Sequence, residues 1–139
     1  MNILIIDDDS LKANWSKKEI TENFKDANFF YSPNGIDGIA ILKKEHIDFI
    51  VLDMQFSYFG NGLNNEEACI SVLKEIRDNP YIDENIPVCI CSQGGRWTDE
   101  FDKFENVVSF IRYRDNKADE KYKELINRYC KTNDLSKER

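Results

Sequence analysis

The sequence predicts an α/β fold built around one parallel sheet, and three observations support that prediction. Five short apolar runs alternate with amphipathic segments of helix length. One run, at residues 49–52, is apolar without alternation, which is typical of a strand buried on both faces. The chain has 139 residues and no internal repeat or linker, so it suits one domain with helices on both faces of a sheet.

The predicted strands are rich in β-branched and aromatic residues, and turn signals separate them. The strands lie at residues 3–6, 28–31, 47–54, 86–91 and 107–111. Proline, glycine and asparagine break the chain at residues 32–35, 79–80 and 93–95. Right-handed crossovers between these strands indicate a parallel sheet with helices on both faces. The common solution for such a chain is a flavodoxin-like (βα)5 doubly wound sheet with strand order 2-1-3-4-5.

The predicted helices have apolar residues spaced for one buried face. These residues are Leu11, Trp15, Ile20 and Phe24 in the first helix, Ile36, Ile39, Ala40 and Leu42 in the second, Ala68, Val72, Leu73 and Ile76 in the third, and Tyr122, Leu125, Ile126 and Tyr129 in the last. Asp9 or Ser10 can cap the first helix. Residues 98–106 predict a short polar helix with Phe101 and Phe104 turned inward.

Composition argues against several classes of partner. The formal net charge is -7, and acidic and basic residues are mixed along the chain. This mixture disfavours nucleic acid and anionic membranes as direct partners. No run approaches the ~20 apolar residues of a membrane span, so we expect a cytoplasmic protein. Without a secretory signal, the four cysteines are expected to be buried free thiols.

Acidic residues end the first and third predicted strands. In the expected strand order these strands are neighbours, so Asp7 and Asp8 face Asp53. A solvated turn or a helix cap is the simpler interpretation of each acid alone. Together, carboxylates a few ångström apart raise one another's pKa unless a cation neutralises them or protons are retained. Mg²⁺ suits this set, with a backbone carbonyl of Met54 or Gln55 as a further ligand.

The same groups suit phosphoryl chemistry. With a divalent ion present, a carboxylate not fully occupied by metal can attack phosphorus and form an aspartyl phosphate. Ser92, at the end of the fourth strand, would offer its hydroxyl to the phosphoryl oxygens. The backbone of Gly94 and Gly95 could bring amide donors close. An ordinary turn role for Ser92 is the simpler alternative.

The sequence resembles the receiver domain of two-component response regulators. The motifs that carry the resemblance are ILIIDDD at 3–9, NGIDGIAIL at 34–42 and IDFIVLDM at 47–54, in this order and spacing. The resemblance implies that Asp53 accepts a phosphoryl group from a histidine-kinase phosphohistidine, and that Ser92 is the switch hydroxyl. It also implies a Mg²⁺ site formed by Asp7, Asp8, Asp53 and the backbone carbonyl of Gln55. We expect one receiver domain at residues 1–131 and a charged tail at 132–139.

Two features depart from that family. The Lys-Pro pair that normally follows the fifth strand is missing, and Arg112, Tyr113 and Arg114 occupy its region. Tyr113 or Arg114 falls at the lysine position, depending on how the spacing is counted, and an arginine would pair with phosphate through a different geometry. The loop at residues 56–65 is longer than usual. Its apolar residues are Tyr58, Phe59 and Leu63. They could form a lid, provide a patch for a partner, or simply pack onto the neighbouring helix.

Three functions are compatible with the sequence. The first is a stand-alone receiver, phosphorylated by a histidine kinase or phosphotransfer protein, that signals to a downstream protein through protein contacts. The second is a pseudoreceiver that binds its partner without phosphorylation, which the missing lysine favours. The third is an enzyme with an Asp nucleophile, but a haloacid-dehalogenase-type phosphatase needs a second Asp where Gln55 stands. A flavodoxin is disfavoured because Asp7, Asp8 and Asp9 would repel the phosphate of the flavin.

Overall fold

Five parallel strands form one sheet in the order β2-β1-β3-β4-β5, as predicted. The strands are β1 (Asn2–Ile6), β2 (Asn28–Ser32), β3 (Phe49–Asp53), β4 (Val88–Ser92) and β5 (Val107–Arg112). The helices are α1 (Ser10–Thr21), α2 (Gly35–Lys44), α3 (Glu66–Asp78) and α4 (Ala118–Tyr129). This computed structural model describes residues 1–60 and 66–130. The predicted tail at 132–139 and part of the loop at 56–65 lie outside the described residues.

Helices cover both faces of the sheet, so the core has two layers. On one face, α2 and α3 pack through apolar residues such as Leu42 and Val72. On the other face, α1 and α4 pack through residues such as Ile20 and Tyr122. The strands β3 and β4 are buried along their whole length, which fits their unbroken apolar sequences. All four cysteines are buried thiols, as expected.

The inner face of α1 differs from the prediction. The sequence predicts that Leu11 faces inward, but its side chain is 74% exposed. The residues of α1 that face the core are Lys12, Ala13, Ser16 and Ile20. The prediction failed because it followed hydrophobicity, whereas the first turns of α1 lie over polar groups at the end of the sheet. Three residues of other helices that are predicted to lie inward are also exposed, namely Ile36 and Ala40 of α2 and Tyr129 of α4.

The helix predicted at residues 98–106 is a single 3₁₀ turn, Phe101–Lys103. Phe101 and Phe104 are both buried, as predicted. The N–H of Phe104 donates to the carbonyl of Phe101 at 3.1 Å, and Phe104 itself is extended. Residues three apart lie on the same side of a 3₁₀ turn, so one turn is enough to bury both rings.

The loop after β3 is attached to the start of α2. The N–H of Ile36 donates to the carbonyl of Tyr58 at 2.9 Å, and the Tyr58 ring packs against the core. The backbone of Gly35 lies so close that an added Cβ would sit 2.4 Å from Tyr58 Cδ2. Tyr58 therefore takes the packing role among the predicted alternatives. Phe59 is 70% exposed, and Leu63 lies outside the described residues.

We predict that Gly35→Ala destabilises the protein, because the Tyr58 ring must move out of a packed position. A loss of about 1–3 kcal/mol is expected for such overpacking. Gly94→Ala is the matched control, since no heavy atom lies within 4 Å of its added Cβ. Urea unfolding should show a lower midpoint for Gly35→Ala only. Equal midpoints for the two variants would contradict the close packing of Tyr58 on α2.

Candidate functional site

Three acids follow β1, and the structure gives them different environments. Asp7 is buried, whereas Asp8 and Asp9 are exposed. Asp9 is the N-cap of α1, because its Oδ1 accepts hydrogen bonds from the N–H groups of Leu11 at 3.0 Å and Lys12 at 3.2 Å. The N–H of Asp9 donates to Asp7 Oδ1 at 2.9 Å. The short run after β1 thus starts a helix and directs one carboxylate into the protein.

Asp53, the last residue of β3, is buried beside these acids. Because β1 and β3 are parallel neighbours, their carboxyl ends meet, and one carboxylate oxygen from each of Asp7, Asp8 and Asp53 lies within 4.8 Å of the other two. The structure therefore brings together the three acids that the sequence singled out. Oxygen donors at this spacing suit a hard divalent cation. Gln55 lines the same cavity, and its N–H lies 3.4 Å from Asp53 Oδ1.

A buried lysine, which the sequence analysis missed, contacts two of these acids. Lys12 Nζ lies 2.6 Å from Asp53 Oδ1 and 2.9 Å from Asp7 Oδ2. Only 3% of the Lys12 side chain is exposed. The sequence contains a signal for the burial of this lysine. Lys12 lies two helical turns before Ile20, and Ser16 lies one turn before it. Residues four apart share a helix face, so a buried Ile20 places Lys12 inward as well.

The buried cluster of Asp7, Asp53 and Lys12 carries an excess negative charge when all three groups are ionised. Burial raises the pKa of Asp53, the charge of Asp7 raises it further, and Lys12 opposes both effects. Burial also raises the pKa of Asp7 against the attraction of Lys12. For Lys12, burial lowers the pKa, but the charges of Asp53 and Asp7 outweigh burial and raise it. The lysine therefore stays protonated, and the cluster can still attract further positive charge.

The acids lie at the base of an open cavity of about 700 Å³. Its walls come from the ends of β1, β3 and β4, and the lining residues are Asp7, Asp8, Asp9, Lys12, Asp53, Met54, Gln55, Ser92, Gln93, Gly94, Gly95, Arg96, Trp97 and Thr98. The hydroxyl of Ser92 accepts a hydrogen bond from the N–H of Gly95 at 2.9 Å. A Cβ on Gly95 would sit 2.3 Å from Met54 Sδ, so glycine allows this loop to pass close to the site.

The residues predicted to replace the lysine after the fifth strand lie beside the end of β4, where the N–H of Tyr113 donates to the carbonyl of Ser92 at 2.9 Å, but outside the lining of the cavity. Arg112, Tyr113 and Arg114 are not among the described residues that line the cavity. The Tyr113 ring packs edge-on against Trp15, with ring centroids 5.2 Å apart. The guanidinium of Arg114 lies 5.0 Å from the Tyr113 ring centroid, and Arg114 has a φ of 68°. Both arginines are exposed.

A parallel sheet with acids at the carboxyl ends of β1 and β3 is the arrangement of the receiver fold, and solved structures show the same fold. The response regulator receiver domain protein (CheY-like) from Methanospirillum hungatei JF-1 matches with a TM-score of 0.69 and 17% identity, over 92% of this chain and 94% of that chain. The phosphorylated cyanobacterial phytochrome response regulator RcpA matches with a TM-score of 0.67 and 17% identity, over 94% of both chains.

A third match is a metal-bound response regulator. The Mn²⁺-bound form of the response regulator Rcp1 has a TM-score of 0.67 and 16% identity, over 94% of this chain and 95% of that chain. The sequence itself matches no protein-family model and no curated protein. At these identities the likeness shows the fold, which is the receiver fold of response regulators. Within residues 1–60 and 66–130, none of the helices is both long and apolar enough to span a bilayer.

We predict that divalent cations stabilise this protein through the acidic cluster. At a Mn²⁺ concentration 100 times its Kd, the gain in unfolding free energy should be about 2.7 kcal/mol. Asp8→Asn should reduce this gain, whereas Asp26→Asn, an exposed acid outside the cluster, should not. Because burial raises the pKa of Asp7 and Asp53, protons compete with the metal, and binding should weaken as pH falls.

Thermal unfolding with and without MnCl₂, and at two pH values, measures both effects. An unchanged midpoint in the wild type at millimolar Mn²⁺ would show that the cluster holds no divalent ion. An equal gain in Asp8→Asn and the wild type would place the metal elsewhere.

Proposed function

We propose that this chain is a receiver that accepts a phosphoryl group on Asp53 from a histidine kinase or phosphotransfer protein and signals through protein contacts. The observation that carries the proposal is the buried Asp53 carboxylate beside Asp7 and Asp8 at the carboxyl edge of a receiver fold. The fold likeness to a phosphorylated response regulator and to a Mn²⁺-bound one supports it.

The chemistry requires an accessible carboxylate oxygen on Asp53. The open cavity admits a donor to this residue from outside the sheet. One Asp53 oxygen forms a bond to phosphorus while the bond from phosphorus to the leaving atom breaks, and the leaving atom takes the bonding pair. From acetyl phosphate the leaving group is acetate. From phosphohistidine it is imidazole, which departs neutral when its other nitrogen carries a proton.

The residues around Asp53 fit a divalent cation. Asp7, Asp8 and Asp53 would hold it, with the backbone carbonyl of Gln55 as a further ligand, and we propose Mg²⁺ as the physiological ion. Such an ion would offset the negative charge that the phosphoryl group brings into an already acidic cavity. Lys12 occupies one oxygen each of Asp7 and Asp53, so the ion must share these carboxylates with an ammonium.

Phosphorylation would be read at the edge of the cavity formed by β4. A phosphoryl group adds a charge of about -2 and three acceptor oxygens. Ser92 borders the cavity, and its hydroxyl can turn toward a phosphoryl oxygen. The loop from Gln93 to Thr98 follows it and presents Trp97 at the surface, 38% exposed. The proposed output is a change in this surface that a downstream protein recognises.

We predict that the wild type gains one phosphoryl group when incubated with acetyl phosphate and Mg²⁺. Intact-protein mass spectrometry followed by peptide mapping should place the group on Asp53. Asp53→Asn should gain none, because its amide is not a nucleophile, and Asp26→Asn should behave as the wild type. No adduct on the wild type, or an adduct that survives Asp53→Ala, would exclude this function.

A pseudoreceiver is the second candidate, and the ion pairs of Lys12 favour it. They neutralise part of the buried charge of Asp7 and Asp53 without metal or phosphate, so a bound ion is less strictly required. In that case the wild type stays unmodified by acetyl phosphate and Mg²⁺. The wild type and Asp53→Asn would also bind a partner protein with equal affinity.

A further inference from the structure

We infer that Lys12, on the first helix, supplies the ammonium that pairs with the phosphoryl oxygens on Asp53. This role replaces that of the lysine expected after the fifth strand. The inference rests on the proposed phosphorylation of Asp53 and deepens it, because it names the group that receives the transferred charge. It concerns a residue that touches the reacting carboxylate.

The position of Lys12 relative to the nucleophile is the first argument. Its Nζ lies 2.6 Å from Asp53 Oδ1, which belongs to the carboxylate that bonds to phosphorus. An ammonium has three N–H donors, and two of them are directed to Asp53 and Asp7. One donor is left for a phosphoryl oxygen. When negative charge moves from the carboxylate to the phosphoryl group, the donor directed to Asp53 can turn to a phosphoryl oxygen as well.

The competing cations of the cavity and its surroundings are placed less well. Arg112 and Arg114 are exposed and do not line the cavity. Arg96 lines the cavity but is exposed, so solvent weakens any charge pair that it forms with a phosphoryl group. Lys12 is the buried cation of this set, and charge pairs are strongest where solvent is excluded.

The backbone holds Lys12 in place. The Asp9 carboxylate caps α1 and accepts from the N–H of Lys12 itself at 3.2 Å. One turn further on, Ser16 Oγ lies 3.9 Å from Cys91 Sγ and accepts from Tyr122 Oη at 3.4 Å. Both neighbours of Lys12 on its helix face are therefore fixed, and the ammonium reaches Asp53 from a rigid helix. A flexible loop would lose more conformational entropy when it paired with phosphate.

Lys12 forms and breaks no covalent bond in the transfer step. Asp53 carboxylate and acetyl phosphate give the acyl phosphate of Asp53 and acetate, and no proton is gained or lost. Lys12 remains protonated throughout and exchanges a carboxylate oxygen for a phosphoryl oxygen as its acceptor. Its contribution is electrostatic, since it stabilises charge that develops outside the original carboxylate.

The experiment uses two probes that should respond in opposite directions. Beryllofluoride with Mg²⁺ mimics the phosphoryl group, and ¹⁹F NMR measures its binding. Mn²⁺ alone reports on the carboxylates, through its effect on thermal unfolding. Lys12→Met should weaken beryllofluoride binding about 10- to 100-fold, the value of a hydrogen bond to a charged group. It should tighten Mn²⁺ binding about tenfold or more, because a competing positive charge is removed.

Three further variants complete the design. Lys12→Arg keeps the charge in a different shape and should bind beryllofluoride at an intermediate level. Lys18→Met removes an exposed lysine of the same helix and should bind as the wild type. Arg96→Met should change beryllofluoride binding by less than about threefold, because Arg96 is exposed and an exposed charge pair contributes little to binding.

Each outcome decides the question. If Lys12→Met binds both beryllofluoride and Mn²⁺ more weakly, the substitution has merely disrupted the structure of the site. That result overturns the inference. Wild-type binding of beryllofluoride by Lys12→Met, or a loss in Arg96→Met larger than that in Lys12→Arg, overturns it as well. If Lys12→Met does not fold, the comparison of Lys12→Arg with Arg96→Met decides alone. If the wild type binds no beryllofluoride and gains no phosphoryl group, the proposed function and the inference fail together.

Discussion

The contact of Lys12 with Asp7 and Asp53 is the interaction on which the rest of the site depends. Each carboxylate alone would cost several kcal/mol to bury in ionised form. Because β1 and β3 are central, parallel and neighbouring, their ends cannot be moved apart to relieve the repulsion. A cation from the adjacent helix offsets part of this cost, and removing one partner of such a buried pair is strongly destabilising. The acids can therefore lie at the base of the cavity without being fully exposed to water.

The ion pairs also explain the unusual inner face of α1. A helix that packed on apolar strands alone would bury leucine or valine at the positions of Lys12 and Ser16. Here the first turns of α1 lie over the carboxyl edge of the sheet, where Asp7 and Asp53 need a donor. Ile20, further along the helix, and the small side chain of Ala13 reach the apolar part of the sheet. The polarity of this face thus follows from the position of the helix above the ends of β1 and β3.

Much of this architecture could be predicted from the sequence because strands and helices have different apolar periods. The five strands, their order, and the meeting of Asp7, Asp8 and Asp53 follow from such patterns and from the handedness of crossovers. The failures on α1 have one cause, because hydrophobicity alone does not determine which side chains are buried. Leu11 is exposed and Lys12 is buried, because a buried charge is stabilised by partners that are distant in sequence. The spacing to Ile20 places Lys12 on the inner face, but its partner Asp53 is 41 residues away and cannot be identified from the local pattern.

The location of the cation on α1 also determines which parts of the protein respond to a change at Asp53. In this structure the segment after β5 packs on α1 through the rings of Tyr113 and Trp15 and does not line the acidic cavity. Lys12 instead shares its helix face with Ser16, which contacts β4 through Cys91 and α4 through Tyr122. A change in the bonding of Lys12 on the proposed phosphorylation would therefore act first on α1 and on its packing against α4. The lysine thus links the charge of the site to the helix layer, whereas Ser92 links it to the loop at the rim.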